Sequence, residues 1–169
     1  MHQQNATPPL AITRFAPFII MAEKVLLAAV AVGVILLMAG IDDRFLIYSL
    51  PVLGTVFFLR GYIPLPVPEN VPADSEDEHR FAQLLALSIV PKVLWIACAV
   101  SVAGLTFYLV QTPKESYRQM LLIGGLTIAI GAVMLTYFMA TGMKHVRLVT
   151  GVLLRALPLA VADFYLLLM

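Results

Sequence analysis

Long apolar runs separated by short polar segments dominate the chain. A helix needs about 20 apolar residues to cross the hydrocarbon core of a bilayer. The runs lack the strict apolar-polar alternation of a membrane-spanning barrel strand. The pattern therefore predicts an all-α, polytopic membrane protein with five transmembrane helices. The predicted spans cover residues 17–41, 45–63, 92–110, 112–141 and 146–169.

Composition excludes several classes of protein. Of the 169 residues, 61% are hydrophobic and 12% are charged, whereas soluble domains carry about 25% charged residues. The formal net charge is only +1, and no basic stripe is present, although a nucleic-acid-binding surface would need one. Soluble enzymes and nucleic-acid-binding proteins are therefore excluded. The lipid bilayer is the first partner that the composition implies.

A proline-rich acidic segment divides the chain. Residues 64–80 contain four prolines and five of the ten acidic residues, which favours an extended connection. Acidic residues at the end of this segment favour the start of a helix, because negative charge is stabilising near a helix N-terminus. This helix is predicted to carry residues 81–87 along the membrane surface before a bend at Pro91. The predicted parts of the chain are a polar N-terminal tail (residues 1–13), a first helical hairpin (14–63), a cytoplasmic loop (64–80), a second hairpin (81–143) and a fifth transmembrane helix (144–169).

The two hairpins show signs of an internal repeat. The triplet Arg-Phe-Ala at 14–16 recurs at 80–82, and Lys-Val-Leu at 24–26 recurs at 92–94. Duplicated hairpins are common in membrane proteins. We therefore predict two related hairpins in parallel orientation. The alternative is a chance similarity between two apolar sequences.

Basic residues predict the orientation of the chain. With the N-terminus inside, seven lie on the inner side and three on the outer side. Because cytoplasmic loops carry the excess of Lys and Arg, we predict an inner-membrane protein of bacterial type with a cytoplasmic N-terminus and an external C-terminus. Lys24 and Lys92 then lie at the inner ends of the first and third spans, where we expect them to act as interfacial anchors.

Arg155 and Asp163 are unusual because both lie within the last apolar run. Charged residues in a span usually face protein or a water-filled cavity. They are separated by about 12 Å along a helix and by about 80° around it, so they cannot pair directly. Each needs a partner on another helix, on another chain or in a lipid headgroup, and depth alone suggests Glu23 for Arg155. The open alternatives are snorkelling or a structural ion pair, and a role in transport.

Small residues recur at intervals that let membrane helices approach closely. Two pairs occupy matching places in the first and third spans, and the fourth span contributes further glycines. The predicted packing positions are Ala29, Gly33, Ala97, Ser101, Gly125 and Gly131.

No motif for catalysis or cofactor binding is present in the sequence. It has no G-x-S-x-G, H-E-x-x-H or P-loop pattern, and its single cysteine, Cys98, cannot form an intrachain disulfide. The acidic run of the loop lacks the ligand spacing of a calcium site. We therefore expect no enzyme activity, no cofactor and no metal.

These features favour a structural or accessory subunit of a membrane assembly. Its expected partners are other membrane subunits or further copies of itself, since a last helix with unpaired charges would suit such an interface. The alternative is a small ion-coupled or solute transporter that acts as an oligomer. A hydrated cavity lined by Arg155 would favour transport, whereas a dry contact between helices would favour assembly.

Overall fold

The computed structural model describes residues 15–63, 84–141 and 149–169. These ranges are helical and contain no strand, which confirms the all-α prediction for the described residues. The N-terminal tail, the acidic loop and the turn before the last helix lie outside the described residues. The helices are α1 (Ala16–Met38), α2 (Arg44–Arg60), α3 (Val90–Leu109), α4 (Lys114–Ala140) and α5 (Thr150–Leu168).

Within the described residues, four segments are long and apolar enough to cross a membrane. They are α1, α4, α5 and the continuous helical segment Leu85–Leu109, which includes α3. These segments are consistent with a multi-pass integral membrane protein. The 17 residues of α2 extend for only about 26 Å, less than the hydrocarbon core of about 30 Å.

The helical segment that contains α3 begins earlier than predicted. A turn of π-helix at Leu85–Ile89 leads directly into α3, and Ala86 and Leu87 are buried in the bundle. The expected surface helix is therefore wrong for these residues. Pro91 lies in the first turn of α3. Because proline has no N–H, it cannot donate a helical hydrogen bond to the preceding turn, and that preceding turn is the wider π-helical one.

Successive helices run antiparallel, and α3 occupies the centre of the bundle. It packs against α2, α4 and α5, whereas α1 packs mainly against α2. At one end of the bundle, here called the turn end, α1 is joined to α2 and α3 to α4. The opposite end is called the charged end because Glu23, Arg60 and Arg155 meet there.

The two turns end their first helices in the same way. Gly40 (φ 66°) follows α1 and Gln111 (φ 57°) follows α3, both in the left-handed region. In each case the next N–H, of Ile41 or Thr112, donates to a carbonyl five residues back at 3.0 or 3.1 Å. This is the Schellman arrangement, which satisfies carbonyls left free at a helix end.

Glycines bring α3 and α4 into close contact along their length. A Cβ atom at Gly104 would lie 2.9 Å from Leu121, one at Gly124 would lie 2.4 Å from Ser101 Oγ, and one at Gly131 would lie 2.7 Å from Leu94. Such close approach increases van der Waals contact between the helices. In a membrane this contact is a main source of helix association, because apolar side chains gain little by moving from lipid to protein.

The predicted packing positions lie at different places in the bundle. Ser101 and Gly131 lie between α3 and α4, Gly33 faces α2 at Leu46, and Gly125 faces Asp163 of α5. Ala97 is buried on α3, whereas Ala29 is half-buried on α1.

Candidate functional site

Glu23 is the centre of an ion cluster at the charged end. Its side chain is fully buried, and its Oε2 lies 3.3 Å from Arg60 Nε while its Oε1 meets Arg155 Nε. Glu23 lies on α1, Arg60 is the last residue of α2, and Arg155 is on α5. The structure thus contains the contact between Glu23 and Arg155 that their expected depth in the membrane suggests. It adds Arg60, one of the seven basic residues predicted to lie on the inner side.

Trp95 of α3 forms the apolar side of this cluster. The guanidinium carbons of Arg60 and Arg155 lie 5.7 and 5.9 Å from its ring centroid, within the range of cation–π attraction. Phe57 of α2 packs against the same indole, with ring centroids 5.4 Å apart. Four helices therefore contribute to one small site. The sequence contains a single tryptophan, but its spacing did not connect it to the charged residues.

The accessible part of the cluster is cationic. The side chain of Glu23 is 1% exposed, whereas those of Arg60 and Arg155 are 21% and 30% exposed. Arg155 Nη1 also donates a hydrogen bond of 2.6 Å to the carbonyl of Gly151. Among the described residues, two guanidinium groups share one carboxylate, so the cluster keeps one positive charge that its own members do not neutralise.

An apolar groove leads from Arg155 toward the turn end. It has a volume of about 540 Å³ and lies between α1 and α5, with α2 and α3 as its floor. Arg155 and Tyr108 are the polar side chains among its described lining residues. The apolar lining includes Leu27, Val30, Leu50, Phe57, Leu154 and Leu159.

Asp163 forms a second, separate polar contact within the bundle. It is fully buried, and its Oδ2 accepts a hydrogen bond of 2.5 Å from Ser101 Oγ of α3. Its Oδ1 has no hydrogen-bond partner among the described residues. A Cβ at Gly125 of α4 would lie 3.1 Å from Asp163 Cβ, so the absence of a side chain there makes room for the aspartate.

The two charged residues of α5 therefore have partners within this chain. Arg155 meets Glu23, and Asp163 meets Ser101. Each residue therefore has its partner on another helix, the first of the predicted possibilities, and the charges of α5 are not left unpaired for an interface as expected. The spacing predicts Ser101 as a small packing residue but does not indicate that its hydroxyl donates to Asp163.

The remaining predicted residues lie outside these contacts. Lys24 and Lys92 are exposed, and their role as interfacial anchors remains a prediction. In the described parts of the chain, no group of three or more potential metal ligands occurs. Cys98 is buried in α3.

The chain matches no known family model, no curated protein and no solved structure.

Proposed function

We propose that the protein is a non-catalytic structural or accessory subunit of a membrane assembly, formed with other membrane subunits or with further copies of itself. The observation that supports this proposal is that the buried carboxylates of Glu23 and Asp163 contact side chains on neighbouring helices. Glu23 joins α1, α2 and α5, and Asp163 joins α5 to α3. Polar contacts of this kind stabilise the packing of the chain's own helices in a membrane, which is a structural and not a catalytic use of charged groups.

The shape of the groove also supports a structural role. Arg155 lines it, but the other described lining residues except Tyr108 are apolar. A path for a hydrophilic solute would need more polar groups near the middle of the bundle.

Extraction of the tagged chain from its own membrane into polymer-bounded lipid discs tests this proposal. We expect a complex of defined mass that exceeds that of a single chain, and no ion flux when the purified chain is placed in liposomes. A monomer in discs, together with flux above that of empty liposomes, would overturn it.

The second candidate is an ion-coupled transporter, and Asp163 is the observation that favours it. A buried carboxylate with an oxygen that lacks a partner is the kind of group that proton-coupled carriers use. If this candidate is correct, Asp163→Asn abolishes proton-coupled uptake in liposomes. Lys24→Gln, at an exposed position of α1, is the control and leaves uptake unchanged.

We further propose that all five helices cross the bilayer, α2 included. α2 runs antiparallel to α1 from Leu46, which contacts Gly33, to Arg60, which meets Glu23. It also runs antiparallel to α3, since Gly54 faces Val102 and Gly61 faces Trp95. The basic residues favour a cytoplasmic charged end in a bacterial inner membrane.

The two hairpins are proposed to be copies of one ancestral hairpin. Both have the same Schellman turn, at Gly40 and at Gln111. Gly33 and Ser101, which occupy matching places in the sequence, both face the second helix of their own hairpin.

A further inference from the structure

We propose that the groove between α1 and α5 holds one acyl chain of an anionic phospholipid, whose phosphate lies against Arg155 at the charged end. This inference goes beyond the proposed function and does not depend on whether the chain assembles with other subunits. It rests on the charge of the cluster, on the shape of the groove and on their contact at Arg155.

The charge of the cluster selects an anion. Glu23 is covered, and the partly exposed groups are the two guanidiniums, whose planar donors match the oxygens of a phosphate. The cluster lies close to the helix ends, because Arg60 is the last residue of α2 and Arg155 lies five residues into α5. Five residues correspond to about 8 Å, so a long arginine side chain can meet a headgroup there. Basic pockets between helices on the cytoplasmic side are known sites for anionic lipids.

The groove selects a long apolar ligand. Its lining residues on α5 extend from Leu154 to Leu166, which is about 18 Å of helix. Over this length the lining is apolar except for Arg155 and Tyr108, so an extended hydrocarbon chain whose headgroup lies beside Arg155 can follow it.

Arg155 joins the two parts of the site. It belongs to the ion cluster and also lines the groove. A molecule with an anionic head and an apolar tail can therefore occupy both at once. Phosphatidylglycerol has this chemistry, and phosphatidylcholine of the same chain length has the tail without the net negative charge.

The test measures lipid that remains on the full chain after reconstitution. Vesicles contain equal amounts of phosphatidylglycerol and phosphatidylcholine, and the protein is then extracted in mild detergent and examined by native mass spectrometry. We expect one retained phospholipid per chain, with phosphatidylglycerol enriched about fivefold, as one uncompensated basic group near the membrane surface predicts. Equal retention of the two lipids by the wild type would overturn the proposal.

A groove-filling variant separates this site from general affinity for lipid. Ala162 lines the groove on α5, and Ala162→Phe fills it without changing a charge. We expect this variant to lose the retained lipid. The matched control is Ala31→Phe on the exposed surface of α1, which should keep it. Retention of phosphatidylglycerol by Ala162→Phe at the level of the control would overturn the proposal, even if other variants failed to fold.

Two further measurements separate the headgroup from other occupants. Arg155→Gln should lower the enrichment of phosphatidylglycerol to near parity. Glycerol phosphate, which has no acyl chain, should not displace the lipid at millimolar concentration, and its displacement of the lipid would contradict the role of the groove. A dimer of lipid-free chains that Ala162→Phe converts to monomers would show that a second copy fills the groove, and would overturn the proposal.

Discussion

The two hairpins share one turn geometry but are held together by different forces. In the second hairpin, α3 and α4 approach closely at Gly104, Gly124 and Gly131. In the described part of the first hairpin, α1 and α2 have one glycine contact, at Gly33, beside their apolar packing, and Glu23 and Arg60 add an ion pair at the charged end. Burial follows this difference: three of the 23 residues of α1 are buried, compared with ten of the 20 residues of α3.

This difference shows how a membrane protein can hold a loosely packed helix in place. Apolar side chains gain little by leaving lipid for protein, because lipid tails are as apolar as leucine. The second hairpin relies on close backbone contact, whereas α1 depends on a buried ion cluster. α5 connects to both hairpins, through Arg155 to the first and through Asp163 to the second. We therefore expect charge substitutions to affect the first hairpin most and size substitutions to affect the second.

Removal of the Glu23 carboxylate should have the largest effect. Glu23→Ala leaves Arg60 and Arg155 beside each other with no anion between them. Loss of one partner from a buried ion pair costs about 3–5 kcal/mol. Because the two arginines left behind are partly exposed, we expect a loss near the lower end of this range in the free energy of unfolding. The measurement is unfolding in mixed micelles. Lys24→Ala, at the exposed neighbouring position, should change this free energy by less than about 0.5 kcal/mol.

A double-mutant cycle tests whether Glu23 acts through Arg155. Glu23→Gln and Arg155→Gln should be strongly non-additive in the free energy of unfolding, because each removes the same contact. If the two effects simply add, the contact between α1 and α5 contributes nothing to stability, and the comparison of the hairpins fails for the first one.

A methyl group between α3 and α4 should have the next largest effect. In Gly124→Ala, the new Cβ would lie 2.4 Å from Ser101 Oγ and 2.9 Å from Ser101 N. Because the backbone itself must move, we expect a loss of about 1–3 kcal/mol in the free energy of unfolding. Gly33→Ala in the first hairpin meets the flexible Leu46 side chain at 3.1 Å, so its loss should be smaller. An equal loss at the two glycines would contradict the proposed difference in packing.

The sequence predicts the helices of this fold better than it predicts their contacts. Long apolar runs indicate spans because the bilayer imposes a length, and α1 and α4 lie within one or a few residues of the predicted limits. Glu23 and Arg155 could be connected because both were expected at the same depth. Depth does not say which face of a helix a residue occupies. The contacts of Trp95 with the guanidiniums and of Ser101 with Asp163 depend on the rotation of α3, which an apolar helix with little polar asymmetry does not reveal.

The hydrogen bond between Ser101 and Asp163 should have a moderate effect. Ser101→Ala leaves both carboxylate oxygens of Asp163 without a donor among the described residues. Hydrogen bonds between membrane helices contribute about 0.6 kcal/mol on average and up to about 1.7 kcal/mol. Since Asp163 is fully buried, we expect the cycle of Ser101→Ala with Asp163→Ala to show a coupling of about 1 kcal/mol. Additivity within about 0.3 kcal/mol would indicate that this hydrogen bond does not help to attach α5 to the second hairpin.

The smallest expected effects come from the two turns, and they have opposite signs. Gly40 and Gln111 both have positive φ, which costs a residue with a side chain about 1–2 kcal/mol. Glycine avoids this cost but loses about 0.4–1 kcal/mol through the greater freedom of the unfolded chain. Gln111→Gly should therefore raise the free energy of unfolding by about 0.5 kcal/mol, and Gly40→Ala should lower it by a similar amount, since a Cβ at Gly40 meets no atom within 4 Å. The measurement is again unfolding in micelles, with both variants compared in one titration series. If Gly40→Ala costs as much as Gly124→Ala, the turns of the two hairpins differ in more than the residue at one position, and their similarity no longer supports a shared ancestral hairpin.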